Sequence, residues 1–233
     1  MRRAALLLLV AAVLPLGCAG AEGRQAQELL AQADQALAQV KSFRFAGRLW
    51  LETPVGDFTF IMRGGGNSAK GGSSFVTMQA PDVPQFPELT VVTRGEKAWM
   101  KAGPGWQRLT IPPGQSTGVE QLDFTPYVKD VQVDDGATVA GEPAVKLTGV
   151  FDTAGLVQGM FGQLAPASGG ALPDLSSSLG DTRVVIYVSE TSHLPLRTLV
   201  DLTVESAGEK ATMHLDFALT NVNERVSIPG PGA

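Results

Sequence analysis

Residues 24–52 read RQAQELLAQADQALAQVKSFRFAGRLWLE, and a change of period inside this stretch decides the fold. From Arg24 to Lys41, Ala26, Leu29, Leu30, Ala33, Leu37 and Val40 recur every three or four residues. That spacing puts them on one face of an α-helix. Gln25, Gln27, Glu28, Gln32, Asp34, Gln35 and Gln39 fill much of the other face, and Ala, Leu, Gln and Glu are good helix formers. Lys41 complements the C-terminal end of the helix dipole, and Ser42 marks the exit. From Phe43 the period falls to two. Phe43, Phe45, Leu49 and Leu51 alternate with Arg44, Arg48 and Glu52, so the chain becomes a strand with one apolar face, and only Trp50 interrupts the polar side. An amphipathic helix feeding a one-sided strand calls for a helix packed on a sheet.

The chain beyond continues the strand pattern. Thr53-Pro54-Val55-Gly56 is a turn, and Asp57 to Arg63 returns with Phe58, Phe60 and Met62 on one side. Gly64-Gly65-Gly66-Asn67 reads as a flexible hairpin reversal, since a phosphate-cradling loop would need a Gly-Lys-Ser/Thr continuation and a helix start. Strands are predicted at 73–79, 89–93, 97–101 and 106–109, with Pro81, Pro84 and Pro87 making a rim loop between the first two. A brief helix is predicted within 119–128. Val131, Val133 and Val139 mark one further strand and Val145, Leu147, Val150 and Phe151 another, and Asp134-Asp135-Gly136 reads as a turn rather than a calcium loop. Thr153 to Leu164 is a second helical candidate, although each of Gly155, Gly159 and Gly162 costs about 1 kcal/mol against Ala. Pro166 to Gly180 is a small-residue loop, and strands follow at 183–189, 196–206 and 211–221. In the last, Ala211, Met213, Leu215, Phe217 and Leu219 oppose Thr212, His214 and Asp216. The expectation is an α+β domain: a strongly curved antiparallel sheet of about eleven strands, an unclosed β-barrel, with helices on its concave face.

The N-terminus speaks to location. Met1-Arg2-Arg3 precedes an apolar run from Ala4 to Leu16, too short for the roughly 20 residues that span a bilayer, so residues 1–17 read as a secretory signal peptide. The single cysteine, Cys18, stands where that signal ends, in Leu14-Pro15-Leu16-Gly17-Cys18, which resembles a bacterial lipobox with Pro15 at a position usually aliphatic. Its thiolate would accept a diacylglyceryl group, and cleavage before Cys18 would free an amine for a further acyl group such as palmitate; two chains anchor stably where one is marginal. The division expected is a signal at 1–17, an acylated tether at 18–23, one lipid-binding domain at 24–228 and a disordered tail at 229–233. Without Arg2 and Arg3, 16 basic residues face 23 acidic ones, a formal charge of about -7. That excludes nucleic acid as a partner and argues against broad adhesion to anionic headgroups.

Several weak motifs together carry a resemblance. They are the lipobox Cys18, the Ala/Leu/Gln helix, Val40-Lys41-Ser42-Phe43-Arg44-Phe45, Gly141-Glu142-Pro143-Ala144-Val145-Lys146-Leu147-Thr148-Gly149, Leu194-Pro195-Leu196-Arg197 and the strand from Lys210 to Leu219. In this order they resemble the LppX/LprAFG family of actinobacterial envelope lipoproteins, and more distantly the LolA/LolB lipoprotein carriers. The resemblance implies an unclosed barrel with helices over an apolar cavity for acyl chains, in a protein that carries lipids, glycolipids or lipoproteins across the envelope.

No catalytic constellation can be assembled. His193 sits in a turn and His214 on the polar face of its strand, and no metal-ligand spacing joins them. The serines at 176–178 lack a nucleophile-elbow pattern. The expectation is therefore no enzyme, no metal and no cofactor, with Cys18 as the lipid attachment site. Candidate cavity residues are Leu30, Leu37, Phe45, Phe58, Phe60, Leu156, Met160, Phe161, Leu164, Met213, Leu215 and Phe217. Period alone does not separate a lined cavity from a filled core; 15 aromatic residues among 233 and abundant Gly and Ala would fill a wide sheet poorly. The first reading is an extracytoplasmic, membrane-anchored carrier with a lipid or glycolipid ligand and a membrane transporter or another envelope protein as its exchange partner. The second is a non-carrier interaction or sensor module of the cell envelope with a filled core.

Overall fold

The computed structural model describes residues 18–67, 72–110, 128–152, 182–206 and 209–231. One helix, α1 (Cys18–Ala38), leads into β1 (Ser42–Thr53) and β2 (Gly56–Asn67). Then come β3 (Ser73–Gln79), β4 (Leu89–Arg94), β5 (Lys97–Lys101), β6 (Trp106–Leu109), β7 (Val128–Val139), β8 (Glu142–Phe151), β9 (Arg183–Ser189), β10 (Pro195–Ser206) and β11 (Glu209–Thr220). All join one 11-stranded sheet in the order β6-β5-β4-β3-β2-β1-β11-β10-β9-β8-β7, with every pairing antiparallel. The sequence neighbours β6 and β7 are thus the two opposite edges, and β1 pairs with β11 at the centre. This is the open antiparallel sheet with a helix on its inner face that the alternation predicts.

Helix α1 seats its apolar stripe on the inner face. Ala26, Leu30 and Ala33 are buried among Val128, Val131, Leu147, Phe151, Val184, Ile186, Val188 and Val200. The two alanines, both fully buried, keep the helix close to the strands. Its end tightens, as Gln39 and Val40 donate from their backbone N–H to Ala36 and Leu37 three residues back (3.1 and 3.0 Å). Val40 then joins a second cluster with Phe43, Phe45, Phe217 and Leu219. The chain just after β11 clasps this junction: Lys41 N–H donates to Asn223 Oδ1 (2.8 Å), Asn223 N–H to Ser42 O (2.7 Å) and Ser42 Oγ to Glu224 O (2.6 Å). Lys41 lies beyond the last turn, so its backbone rather than its charge serves the helix end.

Four expectations need correction. The helix starts at Cys18, so residues 19–23 are its first turns and not a separate tether. The Gly64-Gly65-Gly66-Asn67 segment is not a reversal but the end of β2, paired with Ser42–Phe45 on one side and, through its glycines, with Ser74–Val76 on the other. The physical reason is Phe45, whose ring lies over Gly64; a Cβ there would stand 2.4 Å from the ring and 2.3 Å from the Phe75 carbonyl oxygen. Asp134-Asp135-Gly136 is not a turn either. It lies inside β7 at a register shift against β8, where the Asp134 carboxylate accepts from Lys146 Nζ (2.7 Å) and Thr148 Oγ1 (2.8 Å). Residues 229–231 are docked rather than disordered, because Arg94 Nη2 donates to the Ile228 and Pro229 carbonyls (3.5 and 3.3 Å) and Gly230 lies against Val92. The helices predicted at 119–128 and 153–164 lie outside the described residues, apart from Val128, which opens β7.

Candidate functional site

The sheet register sorts side chains onto two faces. Phe45 of β1 is opposite Leu219 and Gly64, Gly47 opposite Phe217 and Met62, Leu49 opposite Leu215 and Phe60, and Leu51 opposite Met213 and Phe58. Directly paired residues share a face. The row continues through Met62 to Met78, Gly64 to Val76 to Val91 to Met100, and in the other direction through Leu215 to Val200 to Val184. Apart from Glu209 at the hairpin end of β11, no charged side chain occupies these inner positions of the described strands β1 to β5, β10 and β11.

The inner face divides into two halves of different character. Under α1, Leu147, Val184, Ile186 and Val188 are at most 1% exposed, which is packed core. On β1 to β5 the inward residues Leu49, Leu51, Phe58, Phe60, Met62, Val76, Met78, Leu89, Val91 and Met100 are only half-buried. Met213 and Leu215 of β11 continue this stripe. Four of the chain's six methionines, Met62, Met78, Met100 and Met213, therefore face one trough. An unbranched, polarizable side chain fits irregular or changing apolar partners.

The predicted cavity residues fall on both sides of this division. Leu30 is buried in the packed half, and Leu215 is half-buried beside it. Phe45 and Phe217 are buried and stacked at 5.0 Å, with Leu37 against them, so they brace the boundary. Phe58, Phe60 and Met213 stand in the half-buried stripe, and Phe60 meets Phe86 of the rim loop edge-on at 5.9 Å. Leu156, Met160, Phe161 and Leu164 lie outside the described residues, and Cys18 is the first residue of α1. Sequence reasoning put Met62 on the side of Phe58 and Phe60 without counting it among the cavity residues, and missed Met78, Met100, Val76 and Val91. Leu49 and Leu51 share the parity of Phe45 and were readable; the short strands β3 to β5 show too few alternations to assign a face.

The outer face carries the charged side chains of these strands, with apolar residues such as Trp50, Ile61 and Phe75 among them. Arg197 holds Asp216 with two bonds, from Nε (2.8 Å) and Nη2 (2.6 Å), and these raise the Arg197 pKa above its ordinary value. Donation from Lys146 and then Thr148 holds the Asp134 carboxyl below the usual carboxylate range. His214 Nδ1 lies 2.7 Å from Asp201 Oδ1, with the Trp50 ring 5.4 Å away, which places His214 on the outer face as its parity predicts. His193 is in the β9–β10 turn, at φ 57°. Among the described residues no group of three or more His, Cys, Asp or Glu could hold a metal ion, and no helix is long and apolar enough to cross a membrane.

Compared by sequence, the chain matches no family model and no curated protein. Compared by structure, it is similar to LprF from Mycobacterium bovis, with a TM-score of 0.57 at 13% identity over 90% of this chain and 98% of that one. It is also similar to the lipoprotein LppX from Mycobacterium tuberculosis, with a TM-score of 0.56 at 17% identity over 88% of this chain and 99% of that one. The fold is the one these two proteins share, in agreement with the resemblance read from the sequence.

Proposed function

We propose that this chain is a lipoprotein of the extracytoplasmic membrane surface that binds lipid or glycolipid and transfers it. The acyl chains would lie along the half-buried stripe of the inner face, between the sheet and its helices. One observation carries the reading: a continuous trough of Leu, Phe, Val and Met, without charge, on a sheet whose other half is already closed by α1. Apolar surface of that extent is stabilised when an apolar ligand covers it. Its lack of charged groups suits hydrocarbon chains and leaves a polar headgroup at the rim. The fold shared with the lipoprotein LppX supports the reading, as does Cys18 at the head of the helix that bounds the packed half.

The packed core under α1 is the one feature that favours a non-carrier envelope module, because that half offers no room. The experiment that separates the two is mass spectrometry of organic extracts of the purified protein, followed by uptake of an added fluorescent acyl probe. Co-purified lipid, or saturable uptake at about one probe per chain, supports the carrier. The absence of both co-purified lipid and probe uptake refutes it. Anchoring is tested separately, by labelling cells with an alkyne palmitate analogue and comparing wild type with Cys18→Ala.

A further inference from the structure

The outer face holds a cluster that the lipid trough does not use. Arg44 and Arg48 occupy successive outward positions of β1 on either side of Ala46, and Arg63 of β2 is directly opposite Ala46. The three arginines thus leave the sheet from positions around Ala46, on diagonals of about 7–8 Å between backbones. The floor extends as Ala218 of β11, opposite Ala46, and Gly65 of β2, opposite Arg44. All three arginines are exposed. Among the described residues none of the three side chains is engaged in a hydrogen bond or ion pair. Two acids lie nearby: Asp216, opposite Arg48, is paired with Arg197, and Glu88 accepts from the neutral Gln79 amide and keeps its charge.

Beside the cluster is an open hollow of about 400 Å³ between β1, β2 and β3, whose lining includes Arg44, Arg63, Glu88, Ile61, Phe75 and Thr77, while Arg48 borders a second hollow with Asp201 and Asp216. Trp50, 39% exposed, follows Arg48 at the next outward position of β1. With Asp216 offset by Arg197, three cationic side chains have Glu88 as the acid beside them, and a bound anion relieves the repulsion that is left. The planar guanidinium fork matches phosphate oxygens in pairs. A neighbouring tryptophan suits the headgroup level of a bilayer, where an amphipathic ring has both an apolar and a wet side.

We propose that Arg44, Arg48 and Arg63 form an anion site that takes phosphate groups of anionic phospholipids, making the outer face of β1 and β2 a membrane-docking face. A chain of net charge -5 is repelled by an anionic surface as a whole, so this localised positive cluster would set its orientation there. The proposal is independent of what the inner trough binds.

The test is co-flotation of the purified full chain with vesicles, carrying Cys18→Ser in every arm so that no acyl chain contributes. Vesicles of phosphatidylcholine alone are compared with equal parts phosphatidylcholine and phosphatidylglycerol, at low and high salt. At about fivefold per arginine, R44Q/R48Q/R63Q lowers partitioning onto the anionic vesicles by about 100-fold at low salt. The charge-matched control K97Q/K101Q/R108Q, at the edge of the sheet, changes it by less than about fivefold. Circular dichroism checks the fold, and if the triple variant does not fold, R63Q alone reads the fivefold step. Equal partitioning of triple variant and wild type overturns the proposal. So does an equal loss in the control, which would mean net charge alone. Saturable binding of inorganic phosphate or of polyglutamate without vesicle binding overturns it too, in favour of a free-anion or acidic-protein site.

Discussion

The division of the inner face into a packed half and a ligand-ready half can be tested by two perturbations with opposite signatures. Leu147 is 1% exposed beneath α1, among Val131, Ile186 and Val188. Replacing a buried Leu by Ala costs about 2–5 kcal/mol, through lost transfer energy and the cavity left behind. At about 2–4 °C per kcal/mol for a domain of this size, a cost of about 3 kcal/mol lowers Tm by about 6–12 °C. Met78 and Met100 are half-exposed in the trough. Met78→Gln with Met100→Gln keeps side-chain length and makes the tips polar. In the free protein those amides stay hydrated, so the cost is within about 0.5 kcal/mol each. Beneath an acyl chain each amide is stripped of water without a partner, at about 1–3 kcal/mol. The pair should therefore weaken acyl binding by at least about 2 kcal/mol, roughly 30-fold in Kd, with Tm nearly unchanged. L147A should do the reverse, losing Tm while the folded fraction binds within about threefold of wild type. Titration with a fluorescent fatty-acid analogue, alongside thermal melts, reads both quantities. Unchanged affinity in the double Gln variant, or an equal affinity loss in L147A, refutes the division.

Two further substitutions probe the frame. Gly64→Ala places a methyl against the Phe45 ring and the Phe75 carbonyl, so urea unfolding should show a loss of about 1–3 kcal/mol; in a flexible loop the same change would stabilise by about 0.4–1 kcal/mol. The depressed pKa of Asp134, caused first by Lys146 and then by Thr148, contributes stability that is present above the unfolded value of about 3.9 and lost as pH falls through the folded one. Asp134→Asn should therefore lie below wild type in Tm at neutral pH, by a small margin because the side chain is 44% exposed, and the gap should close as pH falls through the folded-state pKa.

Much of the fold was legible because its strands are long and one-sided. Phe43 to Leu51 and Ala211 to Leu219 alternate cleanly, and they are the two central strands that pair with each other. Failures came where the residue pattern carries no period. Gly64 to Gly66 have no side chains to alternate, so a glycine-rich strand cleared for Phe45 looks like a loop. Asp134 to Gly136 have turn chemistry, but Asp and Gly also mark bulges, and only the partner strand distinguishes the two. Residues 19–23 are small and unpatterned, which hid the first turns of α1.

The candidate site was harder to read for a different reason. Parity gives a residue's face, but whether that face is covered depends on where α1 lands, and the contacts that seat Ala26 and Ala33 reach strands more than 90 residues further along the chain. Leu30 and Phe58 are equally apolar in sequence, yet one is core and the other lines the trough. The arginine cluster shows the same dependence. Arg44 and Arg48 share a face by spacing alone, but Arg63 joins them only through the β1–β2 register. That register is set by a turn at residues 53–56, where the Thr53 hydroxyl donates to the Gly56 carbonyl (2.7 Å) and Gly56 takes φ 137°. A shift of one residue there would send Arg63 to the inner face and Met62 to the outer. The same short turn therefore holds the charge out of the trough and the methionine in it, so the polar face and the apolar face depend on one register.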